Sequence, residues 1–252
     1  MRFLKPATGE KDIPLSDSQK IQYRKQLALP GMSEEAQLRL ISSTVLVLGM
    51  RWTGQTVAQH LSLAGVGKVI LLDENPKLLS DASRAIAASI WSNKDSEIIC
   101  RAWTFEAQRS EQMIADADVV VDCLDNWQQK LLASDVCMLL GKPLVHAGGS
   151  RFRFQTYMMV PGKSACLRCA FPQAGIDDVP LETPDDAGLV AIMSMVAAIQ
   201  AIDTIKVIAR LGISQGNELH KFDFLSGEFE SIRGLDPRRD CPDCGRTSSP
   251  RI

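Results

Sequence analysis

Apolar residues along this 252-residue chain follow two alternating rhythms. Short unbroken runs at Thr44–Leu48, Val69–Leu72, Val119–Cys123 and Pro143–Ala147 read as strands covered on both faces, as parallel strands are. Glu97–Ala102 reads as a further strand. Between the runs, apolar positions recur at helical spacing. Ser16–Gln26 and Glu34–Leu40 precede the first strand. Val57, Ala58, Leu61 and Ala64 make one face of a helix that Gly65 and Gly67 end; Leu78–Trp91, Ser110–Ala117 and Gln128–Leu140 follow. Strands alternating with helices predict a doubly wound, Rossmann-like α/β fold with a mostly parallel sheet.

After Ala147 the rhythm changes. Arg151–Met159 alternates, with Phe152, Phe154, Thr156 and Met158 on one side, as an antiparallel strand would. Leu219–Phe224 and Glu228–Ile232, joined at Ser226-Gly227, resemble a hairpin. The C-terminal part of the sheet is therefore expected to be antiparallel. Between these strands lie a loop, Pro172–Pro184, and a long helix, Asp186–Leu211. Its apolar stretch Ala187–Ile202 is short for a membrane span and runs into Asp203 and Lys206, so a buried helix is expected. Residues 1–16 are polar with two prolines and read as a loose segment, leaving 17–252 as a single domain.

Composition narrows the class. A net charge of -2 points to neither nucleic acid nor an anionic membrane surface. Hydrophobic residues at 45% suffice for a sizeable core. The N-terminus has no apolar signal core, and the seven cysteines are an odd number. Together these favour a reducing cytoplasm and metal-bound or buried thiols over a disulfide framework.

Chemistry concentrates in three places. In Thr44–Asp73, a strand, a glycine loop, a helix and a second strand end on an acid. Gly49 and Gly54 bracket a loop that would bring backbone N–H groups to a phosphate, and Asp73 stands where a ribose hydroxyl would bind. Arg51 and Trp52 occupy loop positions where close approach calls for small residues. Arg51 faces a phosphate, or the loop no longer takes a nucleotide. Next, Cys166-x-x-Cys169 and Cys241-x-x-Cys244, about 70 residues apart, supply four thiolates suited to a structural Zn²⁺ that would staple the tail to the sheet. Either pair alone would also suit redox chemistry. Finally, Asp125-Asn126 follows the Val119–Cys123 strand at the edge where open α/β sheets bind ligands. Asp125 would orient Mg²⁺ or a phosphate, or the pair would cap the next helix.

Taken together, Tyr23–Gln26, Gly49…Gly54, AGVGKVILLD, VVDCLDN, KPLVHAGG, the two C-x-x-C pairs and SMVAAIQAIDTIKVI resemble the ThiF/MoeB/HesA family, relatives of the ubiquitin-activating enzymes. The resemblance covers about residues 22–245. It implies a fold with one structural zinc per chain and a homodimer, or a heterodimer. It also implies MgATP-dependent adenylation of the C-terminal glycine of a ubiquitin-like modifier or sulfur carrier. Carried over by position, Gly49 and Gly54 match the phosphate loop, Asp73 the ribose acid and Asp125 the acid near phosphates and metal. Cys166, Cys169, Cys241 and Cys244 match the zinc ligands. Arg84, eleven residues after Asp73, matches the catalytic arginine.

The chain departs from that pattern at several points. Loop glycines are replaced by Arg51 and Trp52, Lys25 replaces an arginine, and Asp81 an asparagine. The segment after Arg84 is about a dozen residues short and lacks the family's lysine. In a second register, Leu78–Trp91 is only the next crossover helix and Arg84 a surface residue. The region before the long helix reads PLETPDDAG, with no cysteine for covalent transfer. The expected activity is therefore adenylation, and the competing one a non-catalytic, carrier-binding subunit. Asp73 also permits NAD, which nothing downstream supports.

Overall fold

The computed structural model describes residues 14–87, 93–103, 107–174, 188–212 and 217–245, with backbone alone at 82–87, 107–109 and 150. Helix α1 (Asp17–Leu27) opens on a capping box in which the Ser16 and Gln19 side chains satisfy each other's backbone N–H groups. Its Tyr23 is buried and donates to Asp95, while Asn93 donates to its hydroxyl. Leu15, inside the segment expected to be loose, is also buried; residues 1–13 lie outside the described part. Helix α2 (Glu34–Ile41), capped by Ser33, leads into strand β1 (Thr44–Leu48).

Next come α3 (Trp52–Ala64), β2 (Lys68–Asp73), α4 (Pro76–Ala87), β3 (Glu97–Ala102), α5 (Ala107–Ala115), β4 (Val119–Asp122), α6 (Trp127–Leu140) and β5 (Leu144–Ser150). The chain continues with β6 (Arg153–Met159), the short α7 (Leu167–Ala170), α8 (Val190–Ala209), β7 (Glu218–Asp223) and β8 (Glu228–Arg233). All eight strands form one sheet in the order β3-β2-β1-β4-β5-β6-β7-β8. Strands β1 to β5 pair in parallel and β6 to β8 antiparallel. The strand elements expected from sequence are all present, within two or three residues at their ends. Helix α7 had no sequence signal, being one turn long. Expectations for 88–92 and 175–187 fall outside the described residues.

Two cores sandwich the parallel half, as a sheet covered on both faces requires. Val45, Val47, Val69, Leu71, Val119 and Val121 face α2, α3 and α8. The alternate residues Leu46, Leu48, Ile70, Leu72 and Val120 face α5, α6 and the four C-x-x-C cysteines. Each fully buried aliphatic contributes about 1.5–3 kcal/mol, which fixes register because a one-residue slip would exchange the two faces. Helix α8 has the length and apolarity to cross a membrane; here it packs on α2, α3 and strands β4 to β6. In contrast, β8 is mostly exposed and β7 mostly half-buried.

The candidate nucleotide edge and the cysteine cluster

Strand order reverses between β1 and β4, and at such a switch point the connections diverge and leave a crevice at the carboxyl ends of the strands. The Gly49–Gly54 loop and the Asp125 turn flank that crevice. Gly49 has φ +90, and a Cβ there would lie 2.4 Å from the Cys123 carbonyl oxygen. A Cβ on Gly54 would lie 2.0 Å from the Gly49 carbonyl oxygen. Both positions therefore demand glycine for backbone approach.

The loop is held by Asp73. Its Oδ2 accepts the Met50 N–H at 2.7 Å and its Oδ1 the Asn75 N–H at 2.8 Å. Gln55 donates to the Met50 carbonyl at 2.8 Å. Arg51 is the N-cap of α3 and makes no side-chain capping bond. The first N–H groups of that helix have no intrahelical partner and carry its positive end. The Arg51 Nε instead pairs with Asp125 Oδ2 at 2.7 Å, both side chains about half exposed at 47% and 49%. Trp52 is turned to α8, donating its indole N–H to Ser194 Oγ at 3.0 Å. Burial raises the pKa of Asp125, with Asp73 and Asp122 adding to the shift and Arg51 and Lys130 opposing it.

Two residues of one dipeptide separate here. Asn126 caps α6, its Oδ1 accepting the Gln129 N–H at 2.8 Å. Asp125 does not cap; it faces Arg51. Arg84 lies on α4, which begins three residues after Asp73 and stands between β2 and β3 in the chain. Leu78 and Leu79 of α4 pack against the core, as the second register expects of that helix. The Arg84 side chain lies outside the described atoms.

Beneath this edge is a charged cluster that sequence reasoning missed. Asp122 is fully buried. Its carboxylate accepts from Lys130 Nζ at 3.2 and 3.3 Å, from His146 Nδ1 at 2.7 Å and from the Leu124 N–H at 3.0 Å. Lys130 also donates to the Ala147 carbonyl at 2.8 Å. Burial alone would raise the pKa of Asp122; the Lys130 charge and the His146 hydrogen bond outweigh it and hold the carboxyl below its usual range. Burial holds His146 below its usual range. Gln200 of α8 donates to the Asp122 and Val145 carbonyls at 2.9 and 3.2 Å, tying α8 to the same strand ends. The signal was present: Asp122 and His146 sit inside VVDCLDN and KPLVHAGG, at strand positions where apolar residues were expected.

On the other face, the four cysteine sulfurs lie within 4.8 Å of one another, a cluster that could hold a metal ion. Cys166 and Cys241 are 3.6 Å apart, and Cys169 and Cys244 3.5 Å. Tetrahedral Zn–S bonds of ~2.3 Å place sulfurs ~3.8 Å apart, so the set fits. Surrounding bonds fix it: the Arg238 N–H points at Cys169 Sγ at 3.5 Å, and Ser134 Oγ accepts the Leu167 N–H at 3.1 Å. Arg168 grips Asp135 of α6 through Nε and an Nη, at 2.9 and 2.6 Å.

With that geometry described, comparisons add the following. The ThiF family model matches residues 23–243. The Bos taurus protein named adenylyltransferase and sulfurtransferase MOCS3 is 33% identical over 239 residues, covering 88% of this chain and 52% of that protein. The protein of the same name from Drosophila yakuba is 32% identical over 238 residues, covering 88% and 52%. The chain thus spans about half the length of the curated relatives it matches. Among solved structures, E. coli MccB with ATP superposes with a TM-score of 0.70 at 18% identity, covering 89% of this chain and 73% of that one. That likeness speaks to the fold.

Proposed function

The chain belongs to the ThiF family, and on that premise we propose that it adenylates the C-terminal glycine of a ubiquitin-like sulfur carrier or modifier, using MgATP. The observation that supports this most is the phosphate-type loop, with its open helix N-terminus, flanked by Asp73 and Asp125 at the switch point. Asp73 would accept from the ribose, the loop N–H groups and Arg51 would meet the phosphates, and Asp125 would hold Mg²⁺. The metal would supply charge neutralisation on the phosphates. The carrier's carboxylate oxygen bonds to the α-phosphorus, the bond to the β-phosphate oxygen breaks, and pyrophosphate leaves.

Neither unusual loop residue obstructs this. The Arg51–Asp125 pair is half exposed, and such pairs are worth about 0–1 kcal/mol, so a ligand with phosphates and a metal can part them. Trp52 is held against α8 rather than over Asp73. A specific observation favours a second reading, a non-catalytic carrier-binding subunit. Because α4 starts at Pro76, no separate segment lies between β2 and the crossover helix to carry the catalytic arginine and lysine of the resemblance. ATP–pyrophosphate exchange with candidate carriers decides between the two. Exchange supports adenylation; absence of MgATP binding with any partner chain supplied retires it.

In the same reading the cysteine cluster binds one structural zinc, which elemental analysis tests. Exposed Leu189, Val190, Met195 and Ile202 along α8 suit the face of a homodimer or heterodimer. Light scattering showing a monomer at micromolar concentration would remove the homodimer. Outside the cluster, Cys100, Cys123 and Cys137 form no disulfide, and reduced thiols suit the cytoplasm.

A further inference from the structure

We propose that Cys169 is the thiol through which a hydroperoxide opens the four-cysteine cluster, that it closes a disulfide onto Cys244, and that the Arg238 side chain restrains this reaction. That the cluster holds a metal rests on the structural-zinc reading; the thiol chemistry does not.

The four sulfurs are not equivalent. Cys166, Cys241 and Cys244 are 0%, 2% and 0% exposed, whereas Cys169 is half-buried. A small reagent arriving from solvent therefore meets Cys169 before the other three. Cys244 Sγ lies 3.5 Å from it. A disulfide needs ~2.05 Å, so about 1.5 Å of closure joins the two sulfurs. Cys166 and Cys241 make a similar contact at 3.6 Å, but both are buried and offer no point of entry. The bond formed from Cys169 thus runs between the two C-x-x-C motifs, not within either.

Arg238 is fixed at the same sulfur. Its N–H points at Cys169 Sγ at 3.5 Å, and its side chain hydrogen-bonds that sulfur as well. Its carbonyl accepts the Cys241 N–H at 3.0 Å, which locks the residue to the Cys241–Cys244 turn. A Cβ on Gly245 would lie 2.6 Å from that carbonyl oxygen, so the turn closes over Arg238 only with glycine there. Hydrogen bonds to a thiolate favour its charged form and lower its basicity. Nucleophilicity falls with basicity. The guanidinium therefore slows attack by the sulfur that solvent reaches first.

The chemistry balances with hydrogen peroxide as the oxidant. The Cys169 thiolate attacks one peroxide oxygen: the S–O bond forms, the O–O bond breaks, and hydroxide leaves. The Cys244 thiolate then attacks the Cys169 sulfur: the S–S bond forms, the S–O bond breaks, and a second hydroxide leaves. Two protons from solvent convert both hydroxides to water. The two thiolates lose two electrons, and the peroxide gains them. Two thiolates remain, too few for a closed tetrahedral shell, so a bound zinc is released. The new bond joins residues 75 apart in sequence and keeps the tail attached where the metal held it.

The test uses the full chain loaded with zinc and titrated with hydrogen peroxide. A chromophoric chelator follows metal release, and non-reducing peptide mapping locates the first disulfide. The expected link is Cys169–Cys244. The oxidised, metal-free protein should melt close to the loaded one, and reduced protein stripped by chelator well below it. Arg238→Ala keeps the backbone N–H and removes the guanidinium. It should speed release by about threefold, the response to an about tenfold rise in thiolate basicity. Cys169→His keeps a four-ligand shell without the entry thiol, and should slow release on the order of tenfold. A first disulfide within either C-x-x-C motif, or between Cys166 and Cys241, overturns the proposal. So does release from Cys169→His at the wild-type rate. Oxidised protein that melts with the stripped form overturns the retained attachment, and unchanged or slower release from Arg238→Ala overturns the restraint. If Cys169→His does not hold zinc, the wild-type peptide map decides alone. Protein that purifies without zinc retires the structural-zinc reading, while the position of the disulfide still judges Cys169.

Discussion

Asp122 and Asp125 stand three residues apart, yet their ion pairs differ in kind. Asp122 is fully buried and bonded to an ammonium, an imidazole and a backbone N–H. Asp125 is half exposed and meets one guanidinium. In the low-dielectric interior the first set cannot lose a member without stranding a charge. At the surface, water and salt replace the partner readily. The lower cluster is therefore scaffold and the upper pair is free to exchange partners, which is what a ligand site needs. The cluster holds the turn, and the turn presents Asp125.

The comparison is tested most strongly at Lys130. Lys130→Met would leave Asp122 charged, buried and without its counter-ion, costing about 3–5 kcal/mol of stability. Urea unfolding measures it. A loss under ~1 kcal/mol, the range of exposed pairs, would mean the two sites do not differ as argued.

Next in size is Asp73, whose carboxylate holds the loop through the Met50 and Asn75 N–H groups. Asp73→Ala should weaken MgATP binding by about 1.5–3 kcal/mol, the range for hydrogen bonds to a charged group. Calorimetric titration reads this. Unchanged affinity would remove Asp73 from the nucleotide site.

Proton linkage separates the clusters again. Burial holds His146 neutral in the fold, its pKa below the ordinary value. Below the unfolded pKa of ~6.5, the unfolded chain binds a proton that the folded chain refuses. Stability is therefore full above that pH and falls as pH drops toward the folded pKa, by up to ~1.4 kcal/mol per unit. Asp122, also depressed, adds a loss at lower pH, as acid reaches its folded pKa. His146→Gln should flatten the slope near the unfolded pKa. A stability profile between neutral and mildly acidic pH, unchanged by that variant, would show that His146 is not the buried neutral group described.

What sequence made legible follows the same division. Both apolar rhythms carried the fold, because burial on two faces leaves unbroken Val and Leu runs and helix faces leave a period. The C-x-x-C pairs were legible because few other structures need four thiols, and the structure gathers them. Gly49 and Gly54 were legible because both are forced by backbone contact. Asp122, Lys130, His146 and Gln200 were not, since their partners are set by strand register and by α8 arriving some 80 residues later. Arg84 stays open in both sequence and structure: its spacing from Asp73 matches a motif, the helix it sits on begins at Pro76, and its side chain lies outside the described atoms.

The smallest effect on stability belongs to Arg51, and it is the most informative about function. The Arg51–Asp125 pair is half exposed on both sides, so Arg51→Met should change unfolding free energy by no more than about 0–1 kcal/mol. Its effect on ligand binding should be larger than its effect on the fold, because a guanidinium at a helix N-terminus meets phosphate oxygens with charge-assisted bonds. If the pair only closes the site, the variant frees Asp125 and MgATP binds more tightly than to wild type. If Arg51 leaves Asp125 to grip a phosphate, the variant binds MgATP less tightly while Asp125 remains available to Mg²⁺. Titrating ATP into both proteins, with and without Mg²⁺, tells the cases apart: a phosphate-gripping arginine shows its loss in both titrations. A latch shows its gain only with the metal, since only the metal competes for the carboxylate.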